Sequence, residues 1–297
     1  MTTKQQQEAL DYFKSHAEDW KSKAQGSGTT KVNVIEQRNQ YVLYVADEHP
    51  ALRSYLDVGC GTGELVCHVA KRGIEAIGVD FAQEMIELAS QKARDETITK
   101  AKFVCSSIFD FEIQRESYDL ISANGFIEYI SQQELHTFFD VVAEALAPGG
   151  SFVVGSRNRL FNLVTMNDFT LQELKAGSVD LLLQEAVKWT TANSIEEVLS
   201  TDCAPLQAPN AEHMKTGIDV TTRFQYTPLQ LINLLHSRGL KGLEVYPVHI
   251  HGVTPSFKEA NMELHASIAN LLQAYARHNT KLLSHASTFM LHVKKEQ

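Results

Sequence analysis

The sequence predicts an α/β fold: a seven-stranded, mostly parallel sheet with helices on both faces and an α-helical insertion. Three observations predict it. Short apolar strands alternate with longer amphipathic helices between residues 53 and 157, the pattern of βαβ units. A glycine-rich turn, Gly59-Cys60-Gly61-Thr62-Gly63, follows the first of these strands and opens into a helix. The αβ pattern breaks over residues 158–226 and returns from Thr227 to the last strand.

Each element follows from local pattern. Residues 4–24 read as an amphipathic helix, with Leu10 and Phe13 near helical spacing, broken by AQGSGTT. A second helix, 31–46, carries Val34, Ile35, Tyr41, Val42 and Val45. Strands follow at 54–58, 75–79, 101–106, 118–123 and 151–156, separated by helices at 63–73, 82–95 and 131–147. The APGG stretch (147–150) reads as a turn feeding the fifth strand. Between 158 and 226, FTLQELKAG and SVDLLLQEAVKW are helical pieces separated by polar, Pro-containing loops, which suits a lid beside the sheet. Thr227 is a good N-cap with Pro228 at the first helical position, and Gly239 suits the helix end. A strand at 243–250, a helix at 257–277 and a strand at 287–293 close the chain.

Composition narrows the function. The 297 residues are 43% hydrophobic and 21% charged, with a formal charge of −9. That balance argues against a nucleic-acid partner, which requires a basic face. No apolar run approaches the roughly 20 residues of a membrane span, and the first residues lack the apolar core of a secretory signal. The four cysteines, Cys60, Cys67, Cys105 and Cys203, show no CxxC pairing. A cytoplasmic protein with reduced thiols is the expectation. No metal is expected: His249 and His251 in HIHG are taken to leave their strand on opposite faces.

The glycine turn lets a ligand approach the backbone. In an open α/β sheet, ligands sit at the carboxyl ends of the strands. Asp80 ends the second strand, 23 residues after Asp57, where a carboxylate accepts both hydroxyls of a ribose. The dinucleotide fingerprint is G-x-G-x-x-G around a pyrophosphate. Here the glycines run G-x-G-x-G with Asp57 two residues before the first, a charge that repels pyrophosphate and suits an ammonium or sulfonium.

These residues resemble the class I S-adenosylmethionine-dependent methyltransferases, in particular small-molecule enzymes similar to the ubiquinone-biosynthesis O-methyltransferases. The resemblance rests on LDVGCGTG (56–63), IGVD (77–80), YDLISANGFIEYI (118–130) and ALAPGGSFVV (145–154). It implies a Rossmann-like sheet and S-adenosylmethionine as cofactor. It implies four parts: N-terminal helices covering the cofactor (1–50), a cofactor-binding half (51–157), a helical lid (158–226), and the C-terminal part of the sheet with an extra helix (227–297). By resemblance, Asp57, Gly59, Cys60, Gly61 and Gly63 surround the methionine end of the cofactor and Arg38 reaches its carboxylate. Asp80 binds the ribose, and Phe81 and Met85 lie against the adenine. Asn124 and Gly125 wall the sulfonium, and Tyr12, Phe13 and Trp20 close over the site. Two departures stand out. Ser106-Ser107 occupies the place where Gly-Asp is common, leaving the adenine to Ser107 and the backbone of Ile108, with Asp110 solvent-facing or a cap. Glu128-Tyr129 stands where relatives show Glu-His, so a histidine base is absent there and Tyr129 orients a hydroxyl or simply packs.

Methyl transfer from a sulfonium is an in-line displacement, and a hydroxyl acceptor also requires a base. Candidates are His249 and His251 at the end of the sixth strand, Tyr129, and His213 in the insertion. Arg157, Arg159 and Arg223 are candidates to hold an anionic acceptor. A small polar metabolite, such as a sugar, methylated on a hydroxyl or amine, is the expected substrate. A non-catalytic cofactor-binding protein and an NAD-linked oxidoreductase on the same sheet are the alternatives.

Overall fold

The computed structural model describes residues 4–18, 32–49, 51–207 and 223–296. Two helices, α1 (Lys4–Ser15) and α2 (Val34–Glu48), precede the sheet. The sheet half then runs β1 (Ser54–Val58), α3 (Glu64–Ala70), β2 (Glu75–Asp80), α4 (Gln83–Asp95), β3 (Ala101–Cys105), β4 (Tyr118–Asn124), α5 (Gln132–Ala145) and β5 (Leu146–Arg157). The insertion holds a 3-10 turn (Arg159–Phe161) and helices α6 (Asn162–Thr165), α7 (Asp168–Lys175), α8 (Val179–Thr191) and α9 (Ile195–Leu199). The chain continues with α10 (Pro228–His236), β6 (Leu240–Ile250), α11 (Pro255–Ala260), α12 (Met262–Gln273), a 3-10 turn (Thr280–His285) and β7 (Ala286–Lys295).

The seven strands lie in the order β3-β2-β1-β4-β5-β7-β6. Only β7 runs antiparallel to both its neighbours, β5 and β6. The period of two in each strand sends alternate side chains to two cores. On one face Leu56, Ile121, Phe152 and Val154 pack with Phe138 and Phe139 of α5 and Leu231 and Leu235 of α10. On the other, Tyr55, Leu120 and Val153 pack with Tyr41 and Val42 of α2 and Val66 of α3. Chain polarity thereby brings the carboxyl ends of β1, β2, β4 and β5 to one edge, where the glycine turn emerges.

Local signals explain most boundaries. Thr227 caps α10 in a reciprocal box with Gln230, with Pro228 in the first turn, and Ser131 with Glu134 does the same for α5. Three expectations shift. The fifth strand starts at Leu146, with a register irregularity at Tyr118/Leu120 and Gly149 at φ +74° inside the APGG stretch. The helix expected over 257–277 is two helices, broken at Asn261 (φ −139°, ψ 56°). The first helix ends at Ser15, and Trp20 lies outside the described residues. Among the described residues no helix is long and apolar enough to cross a membrane.

The insertion is pinned by one buried carboxylate. Glu173 on α7 accepts from Arg159 Nε at 2.9 Å and Nη2 at 2.8 Å, from Asn162 Nδ2 at 2.9 Å and from Ser178 Oγ. Arg159 also donates to the Pro205 carbonyl. It is 2% exposed and does not line the cleft described below. The expectation that Arg159 holds substrate is therefore corrected: its charge is consumed by a carboxylate 14 residues along the chain. Arg159→Ala is expected to lower the unfolding free energy by about 3–5 kcal/mol, because it strands a buried charge. Urea denaturation measures this, and an unchanged midpoint would show that the pair contributes no stability.

Candidate functional site

A cleft of about 1290 Å³ opens at the carboxyl edge of the sheet. Its volume exceeds the roughly 300–1,000 Å³ typical of a single-ligand pocket, so it has room for two molecules. The glycine turn forms one wall. Gly59, Gly61 and Gly63 all have positive φ (+70°, +52° and +77°), which side-chain-bearing residues rarely adopt. Their roles differ. A Cβ on Gly63 would sit 2.6 Å from the Phe103 ring, and one on Gly59 would touch Phe126 at 3.4 Å. Only at Gly61 is the added position open, so this is where a ligand meets bare backbone. Cys60 turns its sulfur under β2, against Gly78, and presents backbone to the cleft.

Two acids face this turn. Asp80, at the tip of β2, accepts the Gly61 amide at 3.0 Å and the Ala82 amide at 2.9 Å. Each oxygen retains capacity for a further donor, so the carboxylate both shapes the turn and can receive a ribose diol. Asp57 is 3% exposed and accepts from Ser122 Oγ, which in turn meets the Tyr55 hydroxyl at 2.6 Å. No cationic side chain among the described residues pairs with Asp57. Burial raises its pKa to about 7, against the pull of Ser122, and the charge of Asp80 adds to the rise. Burial also raises Asp80, with the backbone amides opposing.

The remaining cofactor candidates all line the cleft: Phe81, Met85, Ser107, Ile108, Asn124, Gly125 and Arg38. Phe81 packs with Tyr12, Phe13 and Tyr129, and Met85 with Leu10 and Ala17, so α1 lies along the cleft. Ser107 Oγ accepts the Phe109 amide, and Asp110 is exposed at the cleft edge. Asn124 Oδ1 is buried without a partner. Arg38 reaches across Gly125, where a Cβ would lie 2.6 Å from its Nη1, and its Nη2 meets Glu128 Oε1 at 3.3 Å. Its Nε is buried and unpartnered.

Glu128 was not singled out by sequence. It is fully buried and ion-paired to Arg38 and to Arg223, the latter at 2.8 Å, and it accepts the Arg157 amide at 3.0 Å. Burial alone would raise its pKa, but Arg223, Arg38 and Arg157 together hold it below the ordinary value. The doublet Glu128-Tyr129 was the visible signal; its partners come from three distant segments. Arg223 is thus committed to Glu128 and stacks over Tyr129 at 5.3 Å. Arg157 differs: its guanidinium lines the cleft beside the Phe169 ring, and no carboxylate hydrogen-bonds to it among the described residues. Burial and the neighbouring Arg223 lower its pKa to about 10, which leaves it charged at neutral pH.

The candidate bases are altered by the structure. Burial pushes Tyr129 up to about 12, so its hydroxyl stays protonated and the residue packs against Phe13. His249 and His251 both line the cleft, which corrects the expectation of opposite faces. His249 is left-handed (φ +54°) near the end of β6 and His251 lies just past it, and the two rings lie 4.3 Å apart. Burial lowers the pKa of both, His251 to about 3, so each is a weak proton acceptor. His213 lies outside the described residues.

Residues 56–150 match a family described as "Methyltransferase domain". The chain is 40% identical over 68 residues to a tRNA (guanine-N(7)-)-methyltransferase of Rubrobacter xylanophilus, covering 22% of this chain and 28% of that protein. It is 26% identical to a ubiquinone biosynthesis O-methyltransferase of Methylococcus capsulatus, over 50% of this chain and 61% of that one. The chain spans less than two thirds of the length of these relatives. Among solved structures, magnesium protoporphyrin IX methyltransferase from Synechocystis PCC 6803 with bound SAH superposes with a TM-score of 0.57 at 14% identity, covering 98% of this chain and all of that one. The chain has the class I methyltransferase fold, and residues 56–150 are the part that matches the methyltransferase-domain family.

The unpaired Asp57 makes a pH dependence. A cationic ligand favours its ionised form, so binding must remove a proton wherever the free site is protonated. Affinity for S-adenosylhomocysteine is expected to be about tenfold weaker near pH 6 than near pH 8. Calorimetry in buffers of different ionisation heat reads the released proton. A flat profile would show that Asp57 is already ionised in the free protein.

Proposed function

We propose that the chain is an S-adenosylmethionine-dependent methyltransferase that modifies a hydroxyl or amine of a small anionic metabolite, an acidic sugar being one such acceptor. One observation carries the cofactor reading: a buried carboxylate, Asp57, with no cation paired to it among the described residues, near an open glycine, Gly61, at the carboxyl edge of the sheet. That corner fits an ammonium or sulfonium and disfavours a pyrophosphate. The methyltransferase-domain match over residues 56–150 supports it.

Bound there, S-adenosylmethionine supplies an electrophilic methyl group on a good leaving group. The chain's own residues position the reactants. Asp57 and the turn hold the amino-acid end, Asp80 the ribose, and Phe81, Met85 and Ile108 enclose the base. Arg38, with its unpartnered Nε, stands beside the same end. Alignment of this kind contributes about 7–11 kcal/mol in favourable cases. Phe161, Asn162 and Phe169, from the described part of the insertion, also line the cleft, and in this reading they cover the acceptor. Arg157, charged and without a hydrogen-bonded carboxylate, is the group that selects an anionic acceptor.

Binding decides the class first. S-adenosylhomocysteine should bind and NADH should not, and Asp80→Ala should weaken binding about tenfold or more through loss of charge-assisted bonds of roughly 1.5–3 kcal/mol. NADH binding alone would overturn the reading in favour of an oxidoreductase, and cofactor binding without turnover on any acceptor would favour a non-catalytic binder. Acceptor screening tests the second half: Arg157→Met should raise the KM for an anionic acceptor with the affinity for S-adenosylhomocysteine unchanged. An unaltered KM would remove Arg157 from substrate recognition.

A further inference from the structure

We propose that His249, His251 and His265 form a three-histidine site for a divalent transition metal, Zn²⁺ or a close analogue, at the acceptor end of the cleft. A nitrogen of each ring lies within 4.8 Å of the others. His249 Nε2 faces His265 Nε2 at 3.0 Å. That separation is close to the distance between two ligands on a tetrahedral ion with Zn–N bonds of about 2.0–2.1 Å.

His249 Nε2 and His265 Nε2 share a hydrogen bond that a cation between them would replace. His251 is 6% exposed, yet neither of its ring nitrogens has a partner; His265 is 1% exposed, and its Nδ1 has none. A buried polar group left unpaired costs about 1–3 kcal/mol, and metal ligation satisfies one of the two unpaired nitrogens of His251. His249 Nδ1 meets Ser287 Oγ at 3.0 Å, which leaves Nε2 to point into the cluster. An outer hydrogen bond of this kind is the usual companion of a ligating imidazole.

The backbone is arranged to bring the rings together. His249 sits at φ +54°, rare for a residue with a side chain. Its amide is held by Gln37 Oε1 at 3.0 Å and Gln273 Oε1 at 3.1 Å. Gly252 has no side chain because a Cβ there would overlap Ile268, and this closeness seats the helix that carries His265 against the end of β6.

Three imidazoles without thiolate or carboxylate favour Zn²⁺, Co²⁺ or Ni²⁺ over Mg²⁺ or Ca²⁺. Three protein ligands leave a coordination position, and His249 and His251 face the cleft. Lys258 and Arg157 also line that end. Their charge opposes a bare cation and favours an anionic oxygen as the fourth ligand. The role of the metal rests on the methyltransferase reading: an acceptor hydroxyl on the metal would give its proton to solvent water more readily, and its oxygen would take the methyl group as the C–S bond breaks and neutral S-adenosylhomocysteine leaves.

The test is titration of the chelator-treated full-length chain with Co²⁺, followed by visible ligand-field absorption, with Zn²⁺ as competitor. One equivalent is expected to bind. His251→Ala and His265→Ala should each abolish stoichiometric binding, and Ser287→Ala should weaken it about 10–100-fold. Thermal melting and S-adenosylhomocysteine binding are measured on the same samples. Loss of cobalt binding in variants that keep both supports the site. No stoichiometric binding by the unaltered chain, or undiminished binding in both histidine variants, overturns it. Should the alanine variants fail to fold, the unaltered chain and Ser287→Ala decide. Cobalt binding without S-adenosylhomocysteine binding would leave the metal site standing and remove the methyltransferase reading.

Discussion

The buried carboxylate of Glu128 is the constraint on which the cleft depends. An isolated charge in a protein interior carries a large desolvation penalty, and only paired, hydrogen-bonded charge persists there. Glu128 meets that requirement with groups from three separate segments: Arg38 from α2, Arg223 from the stretch before α10, and the Arg157 amide at the end of β5. Its own carbonyl accepts the Phe224 amide at 2.8 Å. One residue thus ties α2, the end of β5 and the last residues of the insertion to a common point.

The pairing also sets the electrostatics. Three guanidiniums surround one carboxylate, so that part of the cleft is net positive, while Asp57 and Asp80 make the glycine-turn end negative. The two ends attract different ligands. A cationic group suits the acids, and an anionic group suits Arg157, which among the described residues has no hydrogen bond from its guanidinium to a carboxylate.

The turn itself carries several demands at once. Positive φ at three alternate residues folds the backbone sharply, but only Gly61 faces open space; Gly63 is required by the Phe103 ring and Gly59 packs against Phe126. Asp80 likewise serves both fold and ligand, since its two oxygens hold the amides of Gly61 and Ala82. At the other end, a left-handed residue in β6 and a missing side chain at Gly252 gather three histidines from a strand and a helix.

Much of this was legible in the sequence, for a local reason. Strands, helices, caps and the glycine turn follow from periodicity, capping chemistry and backbone freedom, each spanning a few residues. The seven strands, the cap at Thr227 and the positions of Asp57 and Asp80 therefore emerge directly from the chain. What tertiary structure alone decided is which charges and rings find partners. Arg157 and Arg159 are two residues apart and chemically identical, yet one faces the cleft and the other is buried on Glu173. Glu128 gains its arginines, and His249 and His251 gain His265, through packing between segments distant in sequence. Burial and pairing are properties of the assembled core, and a local pattern of residues carries no record of them.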